Sequence, residues 1–172
     1  MNRFEVLFSR EQIQSRVAEL GKQISNDYQG RDVVLVGVLR GCFMFLADLS
    51  RAMDLEVMVD FMEVTSYEGT TSSGNVKIIK DIKNSIEGKH VILVEDIVDT
   101  GLTLSFVVDH LMLKKPASVE IAGLLIKSQK HVYRAPIRYQ GFQIPDHFVV
   151  GYGMDCAGKY RNLDHIAIYR ET

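Results

Sequence analysis

The sequence contains no tryptophan, three prolines and two cysteines among its 172 residues. Cys42 and Cys156 lie far apart along the chain, and neither has a partner at the spacing of a metal-binding motif. This pattern excludes a cysteine zinc site and is typical of a reducing compartment. The longest uninterrupted apolar run extends only from Val33 to Leu39, whereas a membrane helix needs roughly 20 residues. We therefore predict no membrane span.

The sequence also has no large excess of positive or negative charge. The chain has 20 lysine and arginine residues against 22 aspartate and glutamate residues, a net charge of −2, and this balance offers no basic surface for nucleic acid. No apolar stretch leading to a small-residue cleavage site follows the N-terminus, so we expect no secretory signal and a cytoplasmic protein. No repeat or linker divides the sequence, and its hydrophobic content of 47% predicts one domain over residues 1–172.

Hydrophobic periodicity predicts alternating strands and helices. Ser9 and Gln12 have the spacing of a capping box, and the apolar residues after them recur at helical intervals. Val33 to Val38 and Val91 to Val94 are apolar without alternation, which is typical of strands buried on both faces of a parallel sheet. These features predict an α/β fold with a mostly parallel sheet. The predicted elements are, in order, a helix over 9–28, a strand over 33–38, a helix through 45–53, strands near 55–64 and 76–80, a strand over 91–94, a helix after residue 101, a strand over 119–126, and short strands within 145–170.

A run of small and polar residues, Ser66 to Gly74, separates the strands predicted near 55–64 and 76–80. These residues cannot contribute to a core, so we predict an exposed loop. Tyr67 is the one aromatic residue in the run, and it is able to cover a neighbouring site if the loop closes.

Three carboxylates follow the strand predicted over 91–94, those of Glu95, Asp96 and Asp99. Ligands of open α/β sheets bind at the carboxyl ends of strands, and acids gathered there repel one another unless a cation or a polyhydroxyl ligand uses them. The next residues, Thr100-Gly101-Leu102-Thr103, begin a helix whose N–H groups favour a phosphate. A sugar phosphate satisfies both features, because its hydroxyl groups can donate to the carboxylates and its phosphate can bind at the start of the helix. The alternative is that the acids only cap the helix.

The run Val91-Ile-Leu-Val-Glu-Asp-Ile-Val-Asp-Thr-Gly-Leu-Thr-Leu104 resembles the phosphoribosyl pyrophosphate (PRPP) signature of the type I phosphoribosyltransferases, and its details resemble their hypoxanthine-guanine branch. Further segments match in the same order along nearly the whole chain. They are 37–41, similar to the pyrophosphate loop; Ser66-Tyr67, similar to the mobile lid; Lys127, similar to the purine-contacting lysine; and 145–155, similar to the purine-binding hood. The resemblance implies the type I phosphoribosyltransferase fold, with a mostly parallel central sheet flanked by helices, a lid over about 66–75, and a small hood subdomain built mainly from about 145–172 with the N-terminal segment.

The same resemblance implies a reaction in which a purine nitrogen displaces pyrophosphate from carbon 1 of PRPP, with Mg²⁺ as cofactor. Glu95 and Asp96 would hold the ribose hydroxyls through Mg²⁺ or water, and Asp99 would act as the acid/base residue at purine N7. The contacts to pyrophosphate and phosphate would come from Arg40, Gly41, Thr100, Gly101, Leu102, Thr103 and Arg161.

The resemblance also implies a purine site. Lys127 would contact a 6-oxo group, Phe148 would stack on the base, and the backbone of Val149 would read the base edge. Asp155 would lie beside the purine and also ligate Mg²⁺. The alternatives from the residues alone are core packing for Phe148, a turn cap for Asp155, and a surface ion pair for Arg161.

Two features depart from the family pattern. Cys156 stands where relatives commonly carry an aromatic residue, and Asp164-His165 replaces a more usual proline-containing pair. These departures put base selectivity and local packing in question, and they leave the reaction class unchanged. Hypoxanthine and guanine are the expected bases, a xanthine-preferring enzyme is the alternative, and a PRPP-sensing regulatory protein of the same fold is less expected. By analogy we expect a homo-oligomer, either a dimer or a tetramer, with no nucleic-acid or membrane partner.

Overall fold

The computed structural model describes residues 4–67, 75–127 and 136–170. None of the helices in these residues is both long enough and apolar enough to span a membrane. The elements, in chain order, are β1 (Phe4–Phe8), α1 (Arg10–Asp27), β2 (Val33–Leu39), α2 (Phe43–Ala52), β3 (Val57–Tyr67), β4 (Asn75–Lys80), β5 (His90–Val98), α3 (Leu102–Met112), β6 (Ser118–Lys127), β7 (Ile137–Ile144), β8 (Val149–Val150) and β9 (Ile166–Tyr169).

The central sheet has the strand order β4-β3-β2-β5-β6-β7. Neighbouring strands run parallel except for β3 and β4, which run antiparallel. The middle strands β2 and β5 are largely buried because helices cover both faces of the sheet. Residues of α1 and α2 pack into one apolar cluster and residues of α3 into the other. The structure therefore confirms the predicted α/β fold with a mostly parallel sheet flanked by helices.

Helix α1 begins at the predicted capping box. The Ser9 hydroxyl accepts a hydrogen bond from the backbone N–H of Gln12 at 3.3 Å, and the Gln12 side chain accepts one from the backbone N–H of Ser9 at 2.8 Å. The apolar stripe of the helix is buried, as its spacing predicts, and consists of Ile13, Val17, Leu20 and Ile24. The helix thereby contributes one side of the core that covers the sheet.

A second, smaller antiparallel sheet has the order β1-β9-β8. It joins a strand near the start of the chain to one near its end, with Glu5 opposite Ile168. The periodicity of the sequence predicts neither β1 nor β7. Strand β1 has no fully buried residue, and β7 is an edge strand with exposed polar residues such as Arg138 and Gln140. Both strands form through pairing with partners distant in sequence, which a local pattern does not reveal.

The predicted end of the strand over 91–94 is wrong. Strand β5 continues to Val98, because Glu95 and Ile97 remain paired with β6 opposite Gly123 and Leu125. Backbone hydrogen bonds to a neighbouring strand keep polar residues in the strand conformation where apolar burial alone would not. Glu95 and Asp96 therefore belong to the last part of strand β5 and not to a loop.

The predicted loop over 66–75 is also shorter than expected. Ser66 and Tyr67 continue β3 and pair with Val76 and Asn75 of β4. The antiparallel pairing gives the backbone groups of these residues partners. The remainder of the predicted lid, residues 68–74, lies outside the described residues.

Candidate active site

A cleft of about 520 Å³ opens at the carboxyl ends of β2, β5 and β6, the edge at which open α/β sheets bind ligands. The sequence-predicted residues that line it are Arg40, Gly41, Asp96, Asp99, Lys127, Phe148, Val149, Asp155 and Arg161. Glu95 and the run Thr100-Gly101-Leu102-Thr103 adjoin these residues along the chain. The backbone of Ser66 and Tyr67 belongs to the end of β3. Sheet topology thus brings together side chains from segments more than 100 residues apart.

Gly41 allows the loop after β2 to contact the end of β5. A Cβ atom at Gly41 would collide with the carboxylate of Asp96. Gly153 lies against the carbonyl oxygen of Gly41 and has a φ of +101°, in the left-handed region that favours glycine. The Leu39–Arg40 peptide bond in the same loop is cis. Two glycines therefore permit three backbone segments to meet beside an acidic side chain.

Glu95 and Asp96 form a partly buried acidic pair at the end of β5. Burial, followed by the negative charge of Asp96, raises the pKa of Glu95 well above its usual value. Burial also raises the pKa of Asp96, although backbone N–H groups and Arg161 oppose the shift. The Oε2 atom of Glu95 is buried and has no hydrogen-bond partner among the described residues. The pair is therefore short of positive charge and suits a cation.

The carboxylate oxygens of this pair suit a Mg²⁺ ion that binds together with a phosphate-bearing substrate. Mg²⁺ binds proteins through one or two carboxylates and takes its other ligands from water and substrate phosphates, and Glu95 Oε2 is a hard oxygen without a partner in the described part of the chain. Residues 4–67, 75–127 and 136–170 contain no group of three or more His, Cys, Asp or Glu side chains able to hold a metal. The site therefore fits an ion that arrives with a phosphate-bearing substrate better than a structural ion.

Lys127, the last residue of β6, places its ammonium between two carboxylates. Its Nζ donates to Oδ1 of Asp146 at 2.7 Å and to Oδ2 of Asp99 at 3.3 Å. Burial alone would lower the pKa of Lys127, but the hydrogen bonds to Asp146 and Asp99 outweigh burial and raise that pKa. The bond to Lys127 likewise lowers the pKa of Asp146. A charged donor and a carboxylate acceptor thus lie side by side in the wall of the cleft.

The N-terminus of α3 has no side-chain cap. Gly101 is the N-cap residue, with a φ of +82°, and no side-chain hydrogen bond closes the first turn. The acids at 95, 96 and 99 precede this position, so none of them is the N-cap residue of α3. The first N–H groups of any α-helix have no partner within the helix, and those of Leu102 and Thr103 are suited to a phosphate.

Asp155 and Arg161 pair with each other across the hood. Arg161 Nη2 lies 2.7 Å from Oδ1 of Asp155, and its Nη1 donates to the carbonyl oxygen of Gly153 at 2.7 Å. Oδ2 of Asp155 accepts a hydrogen bond from the N–H of Gly158 at 2.7 Å. Both carboxylate oxygens of Asp155 therefore have protein partners with which a metal ion would have to compete. Among the predicted metal ligands, Glu95 has a buried oxygen, Oε2, without a hydrogen-bond partner in the described residues, and Asp96 lines the cleft.

Phe148 lines the cleft with a ring that is 57% exposed, which excludes core packing as its role. The ring lies edge-on to Tyr169 at a centroid distance of 6.0 Å, and the N–H of Tyr169 donates to the Phe148 carbonyl at 2.9 Å. Val149 follows as a buried residue of β8, paired with Ile168. An exposed aromatic ring next to a fixed backbone edge can hold a flat heterocycle.

Sequence reasoning missed two polar residues at this site and two apolar residues of the cleft lining, Ile97 and Met154. Of the polar residues, His147 lines the cleft, and Asp146 accepts a hydrogen bond from Lys127. The available signal was their position directly before Phe148, in the segment between β7 and β8. Their partners could not be inferred, because Lys127 is 19 residues away along the chain.

The chain belongs to the phosphoribosyltransferase family, because residues 7–157 match the phosphoribosyl transferase domain. Its relatives include members of the hypoxanthine-guanine branch. A hypoxanthine phosphoribosyltransferase from Haemophilus influenzae is 48% identical, with 94% of this chain and 93% of that protein covered. A hypoxanthine-guanine phosphoribosyltransferase from Bacillus subtilis is 44% identical, with 96% and 93% covered. A crystal structure of a Staphylococcus aureus hypoxanthine phosphoribosyltransferase has a TM-score of 0.93 at 45% identity and covers 98% of this chain and 93% of that one.

Proposed function

We propose that the protein transfers the 5-phosphoribosyl group of PRPP to hypoxanthine, guanine or both, and releases pyrophosphate with IMP or GMP. One observation carries the proposal: Asp99 and Lys127 place a carboxylate and an ammonium 3.3 Å apart in the cleft wall. A 6-oxopurine presents N7 and its 6-carbonyl on one edge, so a neighbouring acceptor and donor match that edge. The names of the relatives support the same bases.

In the proposed reaction purine N9 attacks carbon 1 of PRPP. The N9–C1 bond forms, the bond from C1 to the pyrophosphate oxygen breaks, and the proton at N7 passes to Asp99. Help of this kind from a positioned acid/base group is worth roughly 10²–10⁴-fold in rate. Asp99 lies two residues before Gly101, the N-cap residue of α3, so it is not itself the N-cap residue.

We propose that Glu95 and Asp96 hold the ribose hydroxyls and the Mg²⁺ that accompanies PRPP. Bound Mg²⁺ would neutralise charge on the pyrophosphate leaving group. Positive charge develops on the ribose ring in glycosyl transfer, and the acidic pair would stabilise that charge electrostatically. A metal role for Asp155 requires the ion to compete with Arg161 and Gly158 for its oxygens.

The phosphate-bearing ends of PRPP would meet two regions. Arg40 and Gly41 would bind pyrophosphate, and the exposed Arg40 side chain, 3.5 Å from Glu63, is able to reorient toward an anion. Arg161 would join them from the hood. The 5′-phosphate would bind at the start of α3, at Thr100, Gly101, Leu102 and Thr103.

The purine would lie against Phe148, with the backbone of Val149 and the side chain of Asp155 along its edge. Lys127 would select the base, because an ammonium only donates hydrogen bonds. It satisfies the 6-carbonyl of hypoxanthine or guanine, whereas the 6-amino group of adenine presents another donor. Sites built on such polar matching reject the wrong analogue by factors on the order of 10⁴.

Other parts of the interpretation stay predictions. They are closure of a lid that includes Ser66 and Tyr67, a dimer or tetramer, and a cytoplasmic location. A xanthine-preferring enzyme would share the reaction and differ only in its base. A PRPP-sensing regulator would have no need of an acid/base residue, so the placement of Asp99 beside Lys127 favours the enzyme.

One assay tests the proposal. The protein is mixed with Mg²⁺, PRPP and, in turn, hypoxanthine, guanine, xanthine and adenine, and nucleotide formation is followed. We expect turnover of hypoxanthine or guanine, almost none with adenine, and loss of hypoxanthine activity in Lys127→Ala. Efficient use of adenine by the parent protein would refute the assignment of Lys127, and turnover of xanthine alone would replace the proposed substrates.

A further inference from the structure

We propose that Asp146 is a positioning residue that holds Lys127 while a purine binds, so that the incoming 6-carbonyl replaces Asp99 and not Asp146 as the partner of the ammonium. The inference rests on the proposed function, because it takes the ligand of Lys127 to be a 6-oxopurine. Asp146 itself is not among the residues that line the cleft, so it would act through Lys127.

The hydrogen bonds from Lys127 to Asp146 and to Asp99 differ in strength. Ion-paired N–H···O hydrogen bonds are usually about 2.7–2.9 Å long. The bond to Asp146 is 2.7 Å and lies in that range, whereas the bond to Asp99 is 3.3 Å. A carbonyl oxygen that approaches the ammonium should therefore displace the longer bond, because less interaction energy is lost.

The backbone fixes Asp146 beside Lys127. Lys127 ends β6 and is directly opposite Ile144, the last residue of β7. Asp146 follows two residues later, in a turn in which the His147 N–H donates to the Pro145 carbonyl at 2.8 Å. Asp99 instead lies beyond the end of β5, in the segment that leads to α3. Strand register therefore holds the Asp146 carboxylate at the lysine.

This arrangement couples base binding to the release of Asp99. While Lys127 bonds to Asp99, the carboxylate shares its charge with the ammonium and is a poorer acceptor for the N7 proton. A bound 6-carbonyl that takes the place of Asp99 turns that carboxylate toward N7. Without Asp146 the ammonium would pair fully with Asp99, and every purine would have to break that pair.

The test uses Asp146→Asn with Asp164→Asn as its matched control. Asp164 is also a hood aspartate with an exposed ion pair, to Arg10 at 3.8 Å, but it is not in the cleft lining. For Asp146→Asn we expect KM for hypoxanthine to rise about tenfold, the effect of losing one charged hydrogen bond, while KM for PRPP stays within about twofold. The Asp164→Asn enzyme should retain both values.

A double-mutant cycle separates positioning from folding. The dissociation constant of IMP is measured by calorimetry for the parent, Asp146→Asn, Lys127→Met and the double variant, so that no turnover is needed. We expect Asp146→Asn to weaken IMP binding in the parent and to have no further effect when residue 127 is methionine. An equal loss in both backgrounds, or equal rises in both KM values, would overturn the positioning role. A parent protein that turns over no 6-oxopurine would instead refute the proposed function itself.

Discussion

The two walls of the cleft hold their charged groups in different ways. At the ends of β2 and β5 the acids are partly buried. Oε2 of Glu95 is buried without a hydrogen-bond partner among the described residues, and Asp96 lies so close to Gly41 that a Cβ atom there would collide with it. In the hood the charged groups are partly exposed and paired with each other, as Asp155 is with Arg161 at 2.7 Å. The first wall is short of positive charge, whereas the second is already balanced.

This difference suggests that the sheet end serves catalysis and that the hood serves binding of the base. A buried acidic pair costs stability until a cationic ligand arrives, and such a site is suited to the charge that develops during reaction. Balanced, partly exposed groups cost little and can exchange partners as a base enters or leaves. We therefore expect substitutions at the sheet end to lower kcat strongly, and substitutions in the hood to act mainly on KM for the base.

The largest effect is expected for Asp99→Asn. Asparagine keeps the shape of the side chain but cannot take up a proton, so kcat should fall by roughly 10²–10⁴-fold. PRPP binding should stay nearly intact, because the phosphate contacts lie elsewhere. Steady-state kinetics and a PRPP titration measure the two quantities, and activity within about twofold of the parent would show that Asp99 is not the base.

The next effect is expected for Gly41→Ala. The added Cβ collides with the Asp96 carboxylate, so the loop or the acid must move, and a displacement of about 1 Å can cost 10²-fold in rate. Gly30→Ala is the control: Gly30 has a positive φ, of +73°, but none of the described residues lies within 4 Å of the position that a Cβ atom would take there. We expect that control to lose stability and keep its kcat. Equal kcat values for the two variants would contradict the close contact at Gly41.

A smaller effect, of a different kind, is expected in the hood. Phe148→Ala removes the exposed ring on which the purine would stack, and base–aromatic stacking is worth roughly 1–3 kcal/mol. KM for hypoxanthine should therefore rise about tenfold or more, with KM for PRPP unchanged. Phe106→Ala, which removes a partly exposed ring of α3 outside the cleft lining, serves as control. If Phe148→Ala lowers kcat and leaves KM for hypoxanthine unchanged, the hypothesis that the hood acts mainly on base binding is wrong.

The sequence was informative wherever a local pattern carried the signal. The capping box at Ser9, the buried runs of β2 and β5, and the helix after residue 101 all follow from patterns among neighbouring residues, and the structure confirms them. Features that depend on distant partners were not predictable. Strand β7 needs β6 to form, and the bond from Asp146 to Lys127 needs the register of the same two strands.

The same limit applies to the charges of the site. Three acids close together at 95, 96 and 99 suggest a cation or sugar ligand from sequence alone, but their separate environments do not follow from spacing. Burial separates Glu95, which lacks a partner for Oε2 in the described part of the chain, from Asp99, which is bonded to Lys127. Only the packing of β5 against its neighbours distinguishes Glu95, which suits a bound cation, from Asp99, which suits proton transfer.

The last prediction concerns stability, where the two walls should respond with opposite signs. The pKa of Glu95 is raised by burial and by Asp96, so the folded protein binds a proton more tightly there than the unfolded chain does. The contribution of Glu95 to stability must then fall as pH rises above the ordinary glutamate value of about 4. Glu95→Gln removes that penalty, so at neutral pH it should raise the free energy of unfolding while lowering activity.

Asp155→Asn provides the comparison in the hood, because it breaks a balanced pair and should lower the free energy of unfolding by about 0–1 kcal/mol. Urea denaturation of the ligand-free proteins at pH 7 and near pH 4 measures both effects. The gain in Glu95→Gln should shrink toward the lower pH, since the parent carboxyl is then protonated in the folded and increasingly in the unfolded state. A loss of stability in Glu95→Gln at pH 7 would mean that the Glu95 charge is compensated in the ligand-free protein, and the contrast between the two walls would not hold.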